Sequence, residues 1–497
     1  MNKQLFEKKR KDFRQFRDLD HYNQSKGNYF LMPFNFHRIN KNREVLINEI
    51  GDYLFVPSGT YESIVKKELS QDENPELYQD LISNHFISEE IYSPNIDLIA
   101  TRYRTKKLFL DRLTSLHIFV ISLRCEHTCA YCQVSRVTQN KEKYDMSLNS
   151  IDKGIEFMMK SPNPNVTMEF QGGEALLAFE NIKYAIKKAQ ELAPIYGKNI
   201  NYVICTNLAL INEEILEYCK TNQVLISTSL DGPKFVHDKN RNKPNCSSYD
   251  LTIKGIELSR EILGHDQVSA LMTTSSHSLK YPVEIVNEYF QQGFSGIFLR
   301  NISPYGFALR TEKNRYKTEE FLHFYKKALK RIIEINKEGH FFTEDFSKII
   351  LTKILTPFNI PYVDLQSPAG LINGVIVFNY DGAVYATDES RMLAEQKDYS
   401  FRLGHLLENT YEEIIYGEKT HRISQVWANE TLAGCSECAF KVYCGADPVH
   451  NWATQGDIYG FRPNSAFCNK NMEVIRYLLE LLDRDIEASD ILESWIK

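Results

Sequence analysis

The stretch Cys125-Glu126-His127-Thr128-Cys129-Ala130-Tyr131-Cys132 decides the reading of this 497-residue chain. It sets three thiols in C-x3-C-x2-C spacing directly after an apolar, β-rich run at 117–123. Three thiolates on one loop suit three irons of a [4Fe–4S] cluster, with the fourth iron open to a ligand. A structural zinc site takes four protein ligands. His127 would have to be the fourth, and its position between two of the cysteines strains the geometry. Simple packing of three cysteines is the remaining alternative. The spacing favours iron–sulfur over both.

Further β-rich runs follow at 166–170, 202–205, 224–229, 270–274 and 296–299, with helical patterns between them. Alternating strands and helices imply parallel pairing with right-handed crossovers. Six units are too few for a closed eight-fold barrel. The expected fold is therefore α/β, an open partial (β/α)6 barrel over 110–310, with its chemistry at the carboxyl ends of the strands. A helical linker is expected over 311–365, with one long helix near 318–336. A composition shift at Pro368, Gly370 and Gly374 opens a C-terminal region, 366–497, whose Asp381-Gly382 pair signals a hairpin. Before the barrel, a charged leader segment (1–27) precedes a small α+β module (28–92). Its expected elements are strands at 45–50 and 53–56 and two helices carrying Tyr61, Ile64, Val65 and Leu69, then Leu77, Leu81 and Ile82.

Hydrophobic residues make up 43% and charged residues 25%, as in ordinary globular proteins. The net charge of −6 supplies no global basic field, so nucleic acid is not the expected partner. No run of 18 apolar residues occurs, so no membrane span is expected. The N-terminus lacks the apolar stretch of a secretory signal. The expected setting is cytoplasmic, where thiols stay reduced, and ten cysteines then read as metal ligands before disulfides. Cys205 and Cys219 read as core residues, and Cys246 as a loop residue.

The motif C-x3-C-x-aromatic-C, with Tyr131 as the aromatic, resembles the signature of radical S-adenosylmethionine (SAM) enzymes. The resemblance covers about 115–305. It implies that Cys125, Cys129 and Cys132 hold the catalytic [4Fe–4S] cluster and that SAM chelates its open iron. One-electron reduction would then yield a 5′-deoxyadenosyl radical that abstracts hydrogen from an unreactive carbon. Gln171-Gly172-Gly173-Glu174 follows the second strand. Glycines permit close backbone approach, and a carboxylate accepts hydrogen bonds from an ammonium. Alone the segment reads as a strand-to-helix turn; in the family such a segment contacts the SAM amino group. Ser229 and Arg241 are further candidates for SAM. Asp231-Gly232 reads as a turn, and His237 as a loop residue. Thr206, Asn207 and Arg300 also sit at strand ends, Arg300 as a candidate substrate or SAM contact.

Cys435, Cys438, Cys444 and Cys468 form a second set. Four thiolates suit either zinc or a [4Fe–4S] cluster. Placed after such a core, C-x2-C-x5-C resembles the SPASM extension, which implies an auxiliary [4Fe–4S] cluster. The full pattern has two more cysteines. Here the hairpin reads Val384-Tyr385-Ala386-Thr387-Asp388, and the later position is Pro448. One auxiliary cluster is therefore expected, not two. Asp388 or Glu389 as a replacement ligand is disfavoured, because carboxylates are poor iron–sulfur ligands beside thiolates.

The stretches 30–36, 131–136, 300–308 and 381–393 resemble the B-type radical SAM maturases of His-Xaa-Ser systems. That implies a ribosomally made precursor peptide as substrate and a second radical SAM maturase as partner. Module 28–92 resembles leader-recognition domains that pair a peptide with an exposed strand edge, here 45–50 or 53–56. The chemistry implies a flavodoxin- or ferredoxin-like electron donor. Two alternatives stay open: a sulfatase-type formylglycine maturase, which carries both auxiliary clusters, and a non-catalytic zinc-stabilised binding protein.

Overall fold

The structure is a computed structural model and describes residues 29–90, 93–137, 140–306, 315–358, 360 and 362–496. The leader segment expected at 1–27 lies outside the described residues. The chain divides into two compact units between Arg102 and Tyr103.

The first unit is built on a three-stranded antiparallel sheet of β2 (Phe34–Arg38), β3 (Arg43–Asn48) and β4 (Tyr53–Pro57). A two-residue strand, β1 (Phe30–Leu31), pairs with β5 (Ile87–Ser88). Helices Thr60–Val65 and Pro75–Ser83 cover the sheet through Ile64, Tyr78 and Leu81, which pack with Leu46, Val56 and Phe86. Asn48 shapes the β3–β4 turn: its side-chain oxygen accepts from the amides of Ile50 and Asp52, both at 3.0 Å. Arg102 then grips Asp52 with two bonds of 2.6 and 2.8 Å. The expected strands and helices are present, with β2 added. β3 is the middle strand, bonded on both sides, so 45–50 has no open edge to offer. β4 and β2 each pair on one side only among the described strands.

The second unit carries an eight-stranded sheet in the order β10-β9-β8-β7-β6-β13-β14-β15. β6 (Leu116–Ser122), β7 (Asn165–Gly172), β8 (Asn199–Thr206), β9 (Val224–Ser229) and β10 (Val268–Leu271) are the expected parallel strands in chain order. Two features differ from expectation. The sixth run forms only a short strand, β11 (Gly296–Ile297), which pairs with β12 (Thr343–Glu344). A single bridge, Thr274 to Asn301, links it back to the β10 side. On the other flank, the C-terminal hairpin joins the same sheet. β13 (Val375–Phe378) runs parallel to β6, and β14 (Ala383–Tyr385) and β15 (Arg402–His405) follow antiparallel.

Alternation along the strands explains the curl. Val166, Met168 and Phe170 of β7 are buried, while Thr167, Glu169 and Gln171 are half-buried. In β9, Val224, Ile226 and Thr228 are buried against half-buried Ser227 and Ser229. One face meets the helices through Phe119, Phe170 and Phe378. Gly154 of helix Leu148–Met159 fits there because a Cβ would stand 2.7 Å from the Phe119 ring. The other face is a polar interior lined by Glu169, Gln171 and Cys205. Among the described residues, no helix is long and apolar enough to cross a membrane.

Candidate active site

The cysteine loop leaves β6 at its carboxyl end and is held on every side. At its base, the Cys125 amide donates to Val137 O, and the Val137 amide donates to Leu123 O, both at 3.0 Å. Just before Cys125, Arg124 meets Asp145 with two bonds of 2.7 Å, and Ser122 donates to the same carboxylate at 2.7 Å. On its far side, the Thr128 amide donates to Asn242 O at 2.7 Å and the Ala130 amide to Asn240 O at 3.3 Å.

Gly172 and Gly173 brace this loop. A Cβ on Gly172, whose φ is +153°, would lie 1.8 Å from Ser122 O. One on Gly173 would lie 2.4 Å from Arg124 O. The close approach these glycines permit is to the chain itself, immediately before the first cysteine. Glu174 is almost wholly buried and accepts from Thr206 Oγ1 at 2.6 Å, the Asn207 amide at 2.8 Å and the Leu176 amide at 3.0 Å. Burial and the nearby Glu126 raise its pKa to about 7, against the lowering effect of those donors.

Asp231 is the hub that the turn reading missed. It is fully buried and accepts from the Tyr131 hydroxyl at 2.5 Å, Asn240 Nδ2 at 3.1 Å and the Thr273 amide at 3.2 Å. Arg241 pairs with it at 3.1 Å and lies 5.5 Å from the Tyr131 ring centroid. Arg241 thus faces Asp231 through its Nε. Burial works to lower its pKa, and Asp231 and Tyr131 more than offset that. His237 is also buried, its Nδ1 accepting from the Asp231 amide at 3.3 Å and its Nε2 meeting Ser248 Oγ at 3.1 Å. Asp238 pins the start of helix Ser248–Leu263 through Ser247 and the Tyr249 amide. Ser229 ends β9 half-buried, in register with Leu271. No local sequence signal separates Asp231 from an ordinary Asp-Gly turn; the aromatic inside the cysteine motif is its partner.

The donor chemistry bears on which metal fits. Burial pushes the Cys125 thiol up, with Glu126 and Glu174 adding to it, and raises Cys129 to about 12. Such thiols shed their protons only to a cation that replaces them. His127 does not complete a zinc set: its Nδ1 meets Glu126 and Asn207 at 3.0 Å, and its Nε2 meets Ser248 at 2.8 Å. Sulfurs around one zinc stand about 3.8 Å apart, given bonds of about 2.3 Å. Among the described residues, three candidate ligand atoms come within 4.8 Å of one another only at Cys125, Glu126 and His127. Neither cysteine set is drawn together to that degree.

Cys435, Cys438, Cys444 and Cys468 converge in the C-terminal region. Burial raises Cys468 to about 12, and the other three thiols add to the rise. Burial and the same neighbours raise Cys438 to about 11. Asn471 Nδ2 lies 3.5 Å from Cys444 Sγ. The two positions expected to lack cysteine have other work. Ala386 is fully buried after the hairpin, next to Thr387, which caps helix Asp388–Ala394. Pro448 opens helix Pro448–Gln455. Asp388 pairs with Arg391 at 3.0 Å and Glu389 with Arg300 at 3.5 Å, so both carboxylates face arginines. Cys219 is buried and Cys246 exposed, as expected; Cys205 is half-buried on the polar interior beside Glu169.

A cavity of about 280 Å³ lies beyond β11, lined in part by Arg300, Tyr305, Asp364, Glu389, Asp447 and Lys470. It adjoins the cysteine loop. Gly306, at φ +61°, packs so closely that a Cβ would stand 2.2 Å from Gln133 O and 2.7 Å from Cys132 O. Of these residues, only Arg300 and Glu389 stand out in the sequence reading. The rest come from separate segments that only the fold assembles.

Residues 119–277 match the family described as the radical SAM superfamily. The chain carries a radical SAM domain. That domain implies a [4Fe–4S] cluster and SAM as cofactors. The chain is 26% identical over 353 residues to a serine-type anaerobic sulfatase-maturating enzyme of Bacteroides thetaiotaomicron, covering 67% of this chain and 80% of that one. The structure of native anSMEcpe with bound AdoMet superposes with a TM-score of 0.62 at 19% identity, over 76% of this chain and all of that one. Streptococcus suis SuiB bound to precursor peptide SuiA gives 0.51 at 12% identity, over 88% and 99%. The fold is thus the radical SAM α/β fold with a C-terminal extension, and the chain is similar in sequence to anaerobic sulfatase-maturating enzymes.

Proposed function

We propose that this enzyme modifies a ribosomally made precursor peptide of the His-Xaa-Ser type, working with a second radical SAM maturase and a flavodoxin- or ferredoxin-like electron donor. The observation that carries the peptide reading is the aromatic-walled cavity at Tyr305, one residue from the Gly306 that packs on the Cys132 backbone, with a polar side and room for a side chain. In this reading Cys125, Cys129 and Cys132 hold the catalytic cluster. The bound cluster and SAM supply the hydrogen-abstracting radical. Gly172 and Gly173 keep β7 against the root of the loop. Tyr131, Glu174, Ser229 and Arg241 would contribute to holding SAM, with Arg241 and Tyr131 both set against Asp231. Cys435, Cys438, Cys444 and Cys468 hold one auxiliary cluster, for which electron transfer is the role we favour. The β4 edge of the first unit takes the precursor's leader as an added strand. The setting is cytoplasmic.

A second reading, oxidation of a serine or cysteine to formylglycine, is supported by the similarity to the sulfatase-maturating enzyme. Two missing cysteines weigh against it. The test is anaerobic turnover of the reconstituted enzyme with a His-Xaa-Ser precursor and, separately, a sulfatase-derived peptide. Tandem mass spectrometry and hydrazide capture read the products. A new bond within the His-Xaa-Ser precursor is expected. A hydrazide-reactive aldehyde in the sulfatase peptide alone would replace the first reading with the second.

A further inference from the structure

The cavity has a chemical character that narrows its ligand. Its walls are aromatic: Phe298, Phe321, Tyr316 and Tyr362 line it. Its polar side holds three carboxylates. Glu389 is matched by Arg300 at 3.5 Å. Asp447 accepts only from the His450 amide, at 2.8 Å, and Asp364 from the Tyr362 hydroxyl, at 3.4 Å. Among the described residues, neither has an ion-pair partner. Burial and the neighbouring Asp364 raise Asp447 to about 8, against the lowering effect of the His450 amide and Lys470.

Two cations act on these carboxylates without closing an ion pair on Asp364 or Asp447: Arg300, which sits on Glu389, and Lys470. Lys470 lies 4.8 and 5.6 Å from the ring centroids of Phe346 and Phe467, and donates to Asn301 Oδ1 at 3.3 Å. Arg315 has an interaction of its own. Two polar atoms on the lining lack any partner among the described residues: the hydroxyl of fully buried Tyr305 and Nδ1 of His450. Buried polar atoms are almost always bonded, so such orphans at a cavity point to a ligand that supplies the missing group.

From the aromatic walls, the two carboxylates that close no ion pair and the orphaned Tyr305 hydroxyl, we infer that this cavity is the subsite for a basic side chain of the substrate peptide. Aromatic faces attract cations, and carboxylates pair with them, so a lysine or arginine head group meets both demands at once. The inference rests on the peptide reading above and adds which residue class the enzyme selects beside the radical centre.

The test uses the full-length, reconstituted, SAM-loaded enzyme and capped pentapeptides that are glycine except at the centre. The central residue is lysine, arginine, norleucine or glutamate, and calorimetry reads binding. Lysine and arginine peptides are expected to bind about tenfold or more tighter than norleucine. The preference should disappear in the Asp364→Asn/Asp447→Asn double variant, with SAM affinity unchanged. Asparagine is as good a helix N-cap as aspartate, so helix Pro448–Gln455 keeps its start. The single Asp364→Asn variant, with a smaller loss, guards against misfolding of the pair. Equal binding of all four peptides, tighter binding of glutamate, or a preference that survives both variants would overturn the subsite. No binding of any peptide would overturn it too. Selective binding of basic peptides with every precursor left unmodified would instead remove the maturase reading and keep the subsite.

Discussion

The Tyr131 hydroxyl and the Asp231 carboxylate meet at 2.5 Å, joining the middle of the cysteine loop to the carboxyl end of β9. Everything else around Asp231 gathers on that bond: Asn240, Arg241 and the Thr273 amide.

Tyr131→Phe keeps the ring under Arg241 and deletes one donor to a fully buried carboxylate. A loss of about 1–3 kcal/mol is expected. Thermal unfolding of the reconstituted enzyme measures it. Iron per chain should hold, because the three cysteines remain, while SAM affinity falls as the loop loosens.

Gly172→Ala should be far more damaging. The new methyl meets Ser122 O at 1.8 Å in a backbone conformation that side-chain-bearing residues rarely adopt. A cost above about 3 kcal/mol is expected. Iron and sulfide after reconstitution should drop by one cluster, with the C-terminal cluster retained.

Metal analysis of the strictly anaerobic protein should give about eight irons with matching sulfide, two clusters' worth. Cys438→Ala should leave about four. About four irons plus one zinc in the unmutated chain would make the C-terminal site a structural zinc centre. Twelve would mean a second auxiliary cluster.

His117 supplies a pH signature. It is fully buried on β6, and burial lowers its pKa from 6.5 to about 3, against the raising effect of the Ser115 backbone. The native state therefore binds fewer protons there than the unfolded chain. Its stability contribution is complete above pH 6.5 and is lost as pH falls toward 3, at up to about 1.4 kcal/mol per unit. His117→Leu should raise stability at pH 5 more than at pH 8. Denaturant titrations at the two pH values check this, and an equal change at both would refute it.

Much of this was legible in the residues, for identifiable reasons. The strands β6, β7 and β8 announce themselves because each sets buried apolar side chains along the strand, whereas β10 buries only Val268 and lies at 268–271 rather than 270–274. The cysteine motif is local, so spacing alone carries it. β2 was passed over: Phe34-Asn35-Phe36-His37-Arg38 is short, half polar and follows Pro33. β11 was read as a full strand because Ile297, Phe298 and Leu299 are apolar, yet Leu299 donates its amide to the Glu344 carboxylate at 3.1 Å rather than to a neighbouring strand. The Arg241–Asp231 pair is hidden in the sequence, since the two lie ten residues apart across a turn. The cavity was invisible, since Asp364, Glu389, Asp447 and Lys470 meet only once the chain has folded.

The parallel pairing of β13 with β6 makes the C-terminal region an integral part of the catalytic core rather than a detachable appendage. Leu116 sits opposite Val375, so a loop of more than 250 residues must close before the central sheet is complete. A ribosome that has released only the first 370 residues has made every radical SAM motif, yet the strand that carries the cysteines still has a raw edge. Such an edge invites pairing with another chain. Truncating the protein before β13 should therefore yield aggregates.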